Sequence, residues 1–184
     1  EYDDNITAAE VAKSIGAGLY KSVCAAKIDG VLCDLRTPLT KDCKLELLTF
    51  DDEEGKKAFW HTTSHILAQA VKRVFPNAKF AIGPAIDDGF YYDFDVEKPF
   101  STEDIEKIEK EMKAIVKSGL EIERFELEPQ KAIELLEEMG EPYKVELASE
   151  HADKGEPISF YKQGEFTDLC AGPHLMSVAV IKAI

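Results

Sequence analysis

Lys57-Ala58-Phe59-Trp60-His61-Thr62-Thr63-Ser64-His65-Ile66-Leu67-Ala68-Gln69-Ala70-Val71-Lys72-Arg73-Val74 is the stretch around which the chain organises. It reads as a helix from about Lys57 to Val74, stopped by Pro76, whose ring removes a backbone donor. On such a helix His61 and His65, four residues apart, lie on one face and one turn apart. Downstream, Ala78 to Ile82 and Phe90 to Val96 read as strands, separated by a turn region from Gly83-Pro84 to Asp88-Gly89. Ser101 or Thr102 caps a charged helix that runs to about Ser118-Gly119, and Glu121 to Leu127 alternates as a strand does. Pro129 opens a short helix that Gly140 ends. Tyr143 to Ala148, Ile158 to Tyr161 and the tail after Leu175 complete the expected strands.

Upstream of the helix, Asp51-Asp52-Glu53-Glu54-Gly55 is a charge run read as a solvated connector between two units. The first unit opens on Thr7-Ala8-Ala9-Glu10, the pattern of a capping box, followed by Val11, Ile15 and Leu19 at helical spacing. Ala25–Ile28 and Val31–Leu35 flank Asp29-Gly30, a two-residue hairpin turn. Pro38-Leu39 marks a loop and Leu45 to Phe50 a further strand. One helix on a small mixed sheet is expected, in a unit of roughly 50 residues, near the lower limit for a self-supporting core. The class is α+β with a largely antiparallel sheet.

Composition bounds what such a chain can do. With 184 residues, 45% of them hydrophobic, it can bury a core, and no apolar run approaches the roughly 20 residues of a membrane span. The net charge of −14 argues against broad gripping of nucleic acid, though not against a local pocket for the end of an RNA. The chain begins without Met and without a basic, apolar leader, so a processed or excised piece is expected. Cys24, Cys33 and Cys43 form no CxxC pair and read as small core residues.

The fourth cysteine stands in Cys170-Ala171-Gly172-Pro173-His174, about 105 residues after His61-Thr62-Thr63-Ser64-His65. Gly172-Pro173 makes a turn that can aim the thiol and the imidazole to one side. Three of the four histidines fall in these two motifs. Two imidazoles, a thiol and a third imidazole form a good tetrahedral zinc set, so a metal or reactive site is expected at His61, His65, Cys170 and His174.

These motifs occur in order with Ala81-Ile82-Gly83-Pro84, Gly89-Phe90-Tyr91-Tyr92-Asp93, Tyr143-Lys144-Val145 and Asp168-Leu169. Together they resemble the editing domain of bacterial-type threonyl-tRNA synthetases, and residues 6–50 resemble the ubiquitin-like β-grasp (TGS) module that precedes it. The resemblance implies a β-grasp module over residues 1–54 and an α/β editing domain over 57–184. It implies hydrolysis of serine wrongly joined to threonine tRNA, in the cytoplasm. The partners implied are the tRNA 3′ end and the rest of a synthetase. Only ten residues follow His174, so the synthetic core, with its ATP site and zinc, is expected to lie outside this chain. The β-grasp strand expected before Asn5 is short or absent.

His61 is expected to do acid–base work, since an imidazole exchanges protons near neutral pH, with His65 orienting it or the water. The resemblance gives Lys144, otherwise a surface lysine on an alternating strand, a role in holding water or the aminoacyl end. Asp168 is expected to bind the α-ammonium or to orient an imidazole, with Cys170 and His174 lining the pocket. Gly83, Tyr91 and Tyr92 are candidates to receive the terminal adenosine, or else core and sheet-surface residues. Alanyl-type editing domains share the His/Cys set and use zinc; the threonyl resemblance implies no essential metal. Two other readings stay open: a free-standing zinc-dependent editor of mischarged alanine tRNA, and a non-catalytic docking module.

Overall fold

Thr7 accepts the Glu10 backbone N–H while the Glu10 carboxylate takes that of Thr7, so the capping box starts α1 (Ala8–Ile15) where expected. The computed structural model describes Tyr2, residues 5–152 and residues 155–181. Gly16 separates α1 from α2 (Ala17–Ser22), which leads into β1 (Val23–Ile28), β2 (Val31–Cys33) and β3 (Leu45–Thr49). Asp29 and Gly30 take φ values of 52° and 82°, the left-handed pair that a tight hairpin between β1 and β2 requires. The sheet runs β2-β1-β3 and is antiparallel in both pairings, where a mixed sheet was expected, because β3 returns alongside β1 in the opposite sense. The strand sought before Asn5 falls, Tyr2 apart, outside the described residues.

The charge run proves to be a helix start and not a free connector. α3 (Glu53–Val74) begins within it, with Asp52 at the N-cap position and Glu53 and Glu54 in the first turn, where carboxylates complement the helix dipole. The Asp52 carboxylate also takes the Thr49 backbone N–H at 2.7 Å, fastening β3 to α3. Gly55 is buried there because a Cβ would stand 2.0 Å from the Thr49 carbonyl oxygen.

After α3 the two long strands expected over 78–82 and 90–96 are broken into two-residue pieces. β4 (Lys79–Phe80) pairs with β7 (Phe94–Asp95), and β5 (Ala85–Ile86) with β6 (Gly89–Phe90). The ladder is interrupted where the Gly83 carbonyl accepts the Ser64 hydroxyl at 2.7 Å and Pro84 has no N–H to give. α4 (Thr102–Ser118) has Ser101 and Asp104 as its capping box and Gly119 as a left-handed stop. β8 (Ile122–Leu127) and α5 (Pro129–Met139), ended by Gly140, follow the expectation. The segment Tyr143–Ala148 does not: it lies in α6 (Pro142–Ala152), since Pro142 suits a first helical turn and Lys144 and Ala148, four apart, are both buried on one face.

β9 (Ile158–Gln163) is central in an antiparallel sheet of order β10-β9-β8, and β10 (Phe166–Leu169) was not anticipated. The tail after Leu175 forms a 3-10 turn, Val178–Val180, where a strand was expected; residues 182–184 lie outside the described part. α3 is the spine. Ile66, Ala68, Ala70 and Val71 are fully buried, and one apolar core joins them to Cys24, Ala25 and Leu48 of the front sheet. Cys24 is thus a core residue, and Cys33 and Cys43 are half-buried; all three are free thiols.

Substituting Gly55→Ala drives a methyl group into the β3 backbone. A loss of about 1–3 kcal/mol and a melting temperature lower by several degrees are expected from thermal unfolding followed by circular dichroism. An unchanged melting temperature would contradict this packing.

Candidate functional site

Each residue of the His61–His65 motif has a structural task as well as a chemical one. Thr62 and Thr63 hydroxyls back-bond to the carbonyls of Ala58 and Phe59, and the single Ser64 hydroxyl hydrogen is shared between the carbonyls of His61 and Gly83, so three polar side chains are satisfied inside the packed face of α3. His61 and His65 project one turn apart, ring centroids 5.2 Å from each other. β10 delivers Asp168 and the Cys170–His174 turn against them. The His174 ring lies 4.3 Å from that of His61 and 4.2 Å from that of His65, centroid to centroid. Cys170 Sγ sits 3.3 Å from His61 Nε2 and 3.2 Å from His174 Nε2, and accepts the Gly172 N–H at 3.3 Å.

The hydrogen bonds of Thr62 assign a tautomer to His174. The single Thr62 hydroxyl hydrogen goes to the Ala58 carbonyl at 3.0 Å, and its oxygen accepts the Leu175 N–H at 3.0 Å. The 3.1 Å contact to His174 Nδ1 is then an N–H donated to Thr62. This leaves the His174 Nε2 lone pair facing the Cys170 thiol.

Beside the cluster is a second buried group. Asp168 Oδ1 pairs with Lys144 Nζ at 2.9 Å, and Oδ2 accepts the Tyr92 hydroxyl at 2.7 Å and lies 3.6 Å from His65 Nε2. Lys144 and Asp168 are each 4% exposed, which makes Lys144 a buried cation and no surface lysine. A cleft of about 190 Å³ opens onto this pair, with Phe80, Leu136, Glu141 and Thr167 among its walls.

Burial sets the protonation states. It pushes His65 down to about 3, with the nearby Asp168 carboxylate only partly opposing, and pushes His174 well below the usual imidazole value; His61 is lowered for the same reason. The same desolvation raises the Cys170 thiol to about 12. Burial would also raise Asp168, but Lys144 and His65, with the hydrogen bonds from Lys144 and Tyr92, outweigh it and keep this carboxyl below the usual range. The cluster is thus one of neutral imidazoles and a protonated thiol beside an ionised pair.

His61, His65, Cys170, His174, Asp168 and Lys144 therefore meet at one place, although two of their elements differ from expectation. Tyr92 is buried, stacked on Phe94 and packed against Gly83, so its face is not open to a base; Tyr91 is 43% exposed. His151 is exposed at the end of α6 and lines a small cavity with Cys170, but it is not one of the four clustered ligand residues. Thr62 was missed, yet its place between the two histidines was the signal. The four ligand atoms of His61, His65, Cys170 and His174 lie within 4.8 Å of one another, so this group could hold a metal ion. Bonds of about 2.0–2.3 Å in tetrahedral zinc place ligand atoms a little under 4 Å apart, and neutral imidazoles are the required form, so the donor set fits.

The TGS domain family matches residues 1–49, and the Threonyl and Alanyl tRNA synthetase second additional domain matches residues 158–184. The front sheet and its helix are therefore a TGS domain of β-grasp fold. The threonine--tRNA ligase of Acetivibrio thermocellus is 61% identical over all of this chain, that of Clostridium tetani 58% and that of Caldanaerobacter subterraneus subsp. tengcongensis 57%. The chain spans only 28–29% of the length of these relatives. The likeness to the N-terminal region of threonyl-tRNA synthetases that the motifs carry holds along the whole chain.

Burial of neutral imidazoles makes the protein acid-sensitive. A histidine whose folded value lies below its unfolded value of about 6.5 takes up a proton more readily once unfolded, so its burial costs stability as pH falls from about 6.5 toward 3. In metal-free solution, urea denaturation at about pH 7, 6 and 5 is expected to show stability falling by up to about 1.4 kcal/mol per pH unit for each such imidazole. Equal stability at all three would contradict neutral burial.

Proposed function

We propose that this chain is the editing part of a threonyl-tRNA synthetase and hydrolyses the ester joining serine to the 3′ end of threonine tRNA. The observation that carries this reading is the meeting of three imidazoles, a thiol and the buried Lys144–Asp168 pair, within a chain similar throughout to threonine--tRNA ligases. Residues 1–54 are assigned to the TGS module and 57–184 to the editing domain. No helix among the described residues is long and apolar enough to cross a membrane, and a cytoplasmic site of action is proposed with the activity.

The chemical need is a matter of magnitude. Serine lacks one methyl group of threonine, and a synthetic pocket can reject the smaller side chain by only about 1–3 kcal/mol. A second site that admits serine and excludes threonine by size supplies the remainder. Ester hydrolysis there requires a positioned water, a proton acceptor, and donors for the developing oxyanion.

His61 is the least buried of the three clustered imidazoles, and its lowered value keeps a free base at neutral pH. It takes the proton of the attacking water and returns it to the leaving ribose hydroxyl. Lys144 Nζ, fixed by Asp168, donates to the carbonyl oxygen as negative charge grows there. Asp168 has lone pairs left beyond Lys144 and Tyr92 to receive the seryl α-ammonium. Cys170, with its thiol raised to about 12, is a weak S–H donor and not the nucleophile, so the attack is by water. Cys170 and His174 close the pocket against a larger side chain. Tyr91 offers the exposed ring on which the terminal adenine stacks.

The proposed reaction runs without an essential metal, as the threonyl resemblance implies. Were zinc bound, His61, His65, Cys170 and His174 would hold it, and it would supply Lewis-acid polarisation of water or carbonyl.

Deacylation assays on Ser-tRNA(Thr), Thr-tRNA(Thr) and mischarged alanine tRNA test this reading. Loss of serine alone is expected, persisting after chelator treatment and falling about 10²–10⁴-fold in His61→Ala. No hydrolysis at high protein concentration would favour a docking module. Stoichiometric zinc that disappears in His65→Ala would replace the metal-free reading with a zinc-dependent one.

A further inference from the structure

Asp34 and Arg36 follow β2 in the TGS module, yet both reach the far end of the chain. Asp34 is 8% exposed and Arg36 half-buried. Asp34 Oδ2 accepts the backbone N–H of His174 at 3.3 Å, 140 residues away, and the Tyr161 hydroxyl at 2.8 Å. Its Oδ1 takes the Arg36 backbone N–H at 2.8 Å and the guanidinium at 2.9 Å. Arg36 spends its other N–H groups on carbonyls: that of Leu175 at 2.9 Å, that of His174 at 3.4 Å, and that of Ile122 through Nε at 3.1 Å and also through Nη2. The pair therefore grips the peptide groups on both sides of the His174 ring, while Thr62 and Cys170 hold the ring itself.

Tyr161 extends the grip beneath the turn. Its ring centroid is 4.4 Å from that of His174. A Cβ at Gly172 would stand 2.0 Å from the Tyr161 hydroxyl oxygen, and Gly172 has a φ of +75°, so the turn rests on the phenol in a way only glycine permits. Taking a carboxylate and a guanidinium out of water is unfavourable, and their attraction rarely offsets it, so adhesion between two units does not by itself require such a pair. Apolar residues would serve that purpose. What the pair adds is directed hydrogen bonding to one short stretch of backbone.

We propose that Asp34 and Arg36 are positioning residues for the hydrolytic site. They fix the depth of the Cys170–His174 turn over α3, so that the Cys170 thiol and His174 Nε2 meet His61 and His65. The TGS module is then a structural wall of the site and not a separate docking piece. This rests on the hydrolysis reading for its kinetic consequences but not for its geometry.

The test uses this chain with Asp34→Ala, Asp34→Asn and Arg36→Lys, where the latter two keep volume in case the alanine variant does not fold. In single-turnover deacylation of Ser-tRNA(Thr), the folded alanine variant is expected to lose about 10–100-fold in rate with little change in the tRNA concentration for half-maximal rate, and Asp34→Asn to recover part of the loss. Independently of activity, long-range ¹H–¹⁵N spectra of the imidazoles are expected to show a His174 Nδ1–H form in the parent protein. That His174 pattern should shift in the Asp34 variants while the His151 signals stay in place. Folded variants with unchanged rate and unchanged His174 signals would overturn the proposal. An inactive parent protein whose His174 signals still respond to Asp34 would defeat the hydrolysis reading and leave the brace standing.

Discussion

The Thr62 hydroxyl, beside the contact of Cys170 Sγ with His61 Nε2, joins the two motifs on which the site depends. It hangs from the Ala58 carbonyl and receives the Leu175 N–H and the Nδ1–H of His174. The helix Glu53–Val74 and the Cys170–His174 turn, about a hundred residues further on, are thereby locked in register to within a hydrogen bond. Because the bond forms only when the turn sits at one depth, it contributes to the spacing of the three rings and the thiol, together with the Asp34 and Arg36 bonds to the same backbone. A buried network of this kind is specific because each unmade bond would leave a desolvated polar group.

Charge is managed by a division of labour. The imidazoles and thiol are buried neutral, which avoids the cost of isolated charges, while the buried Asp168 carboxylate at their side is matched by Lys144 and by the Tyr92 hydroxyl. The Lys144 ammonium is thus held in place before any substrate arrives, and such preorganised charge is the means by which a dry site stabilises an oxyanion. On the other side of His174, Asp34 and Arg36 repeat the device at the seam between the TGS module and the rest of the chain. The overall charge of −14 is compatible with the proposed function, which requires only the end of a tRNA to enter.

Much of this was legible in the residues. Capping patterns at Thr7 and Ser101, the Asp29-Gly30 turn and the Gly119 and Gly140 stops are local rules, and the structure follows them. The site motifs were legible because His and Cys are scarce and their spacing is chemical. Lys144 was placed on a strand because Tyr143–Ala148 is short and apolar residues fall at both periods; the neighbouring Pro142 and the contacts of α5 and α6 decide for helix. The acidic run at Asp51–Glu54 looked like solvated linker, since the same residues that favour solvent also favour a helix N-terminus. β10 escaped notice because Phe166-Thr167-Asp168-Leu169 is four residues long and its middle residues are polar. Asp34 and Arg36 carry no local signal at all; their partners lie far along the chain, and only the fold brings them near.

The central proposal, that the His/Cys cluster and the Lys144–Asp168 pair beside it act together on one seryl ester, is most directly tested by a crystal structure of this chain with a non-hydrolysable 3′-amide analogue of seryl-adenosine. The account predicts the seryl carbonyl beside His61 and Lys144, the α-ammonium at Asp168, and the serine side chain against Cys170 and His174. An analogue bound elsewhere, with the four-residue cluster untouched, would contradict it.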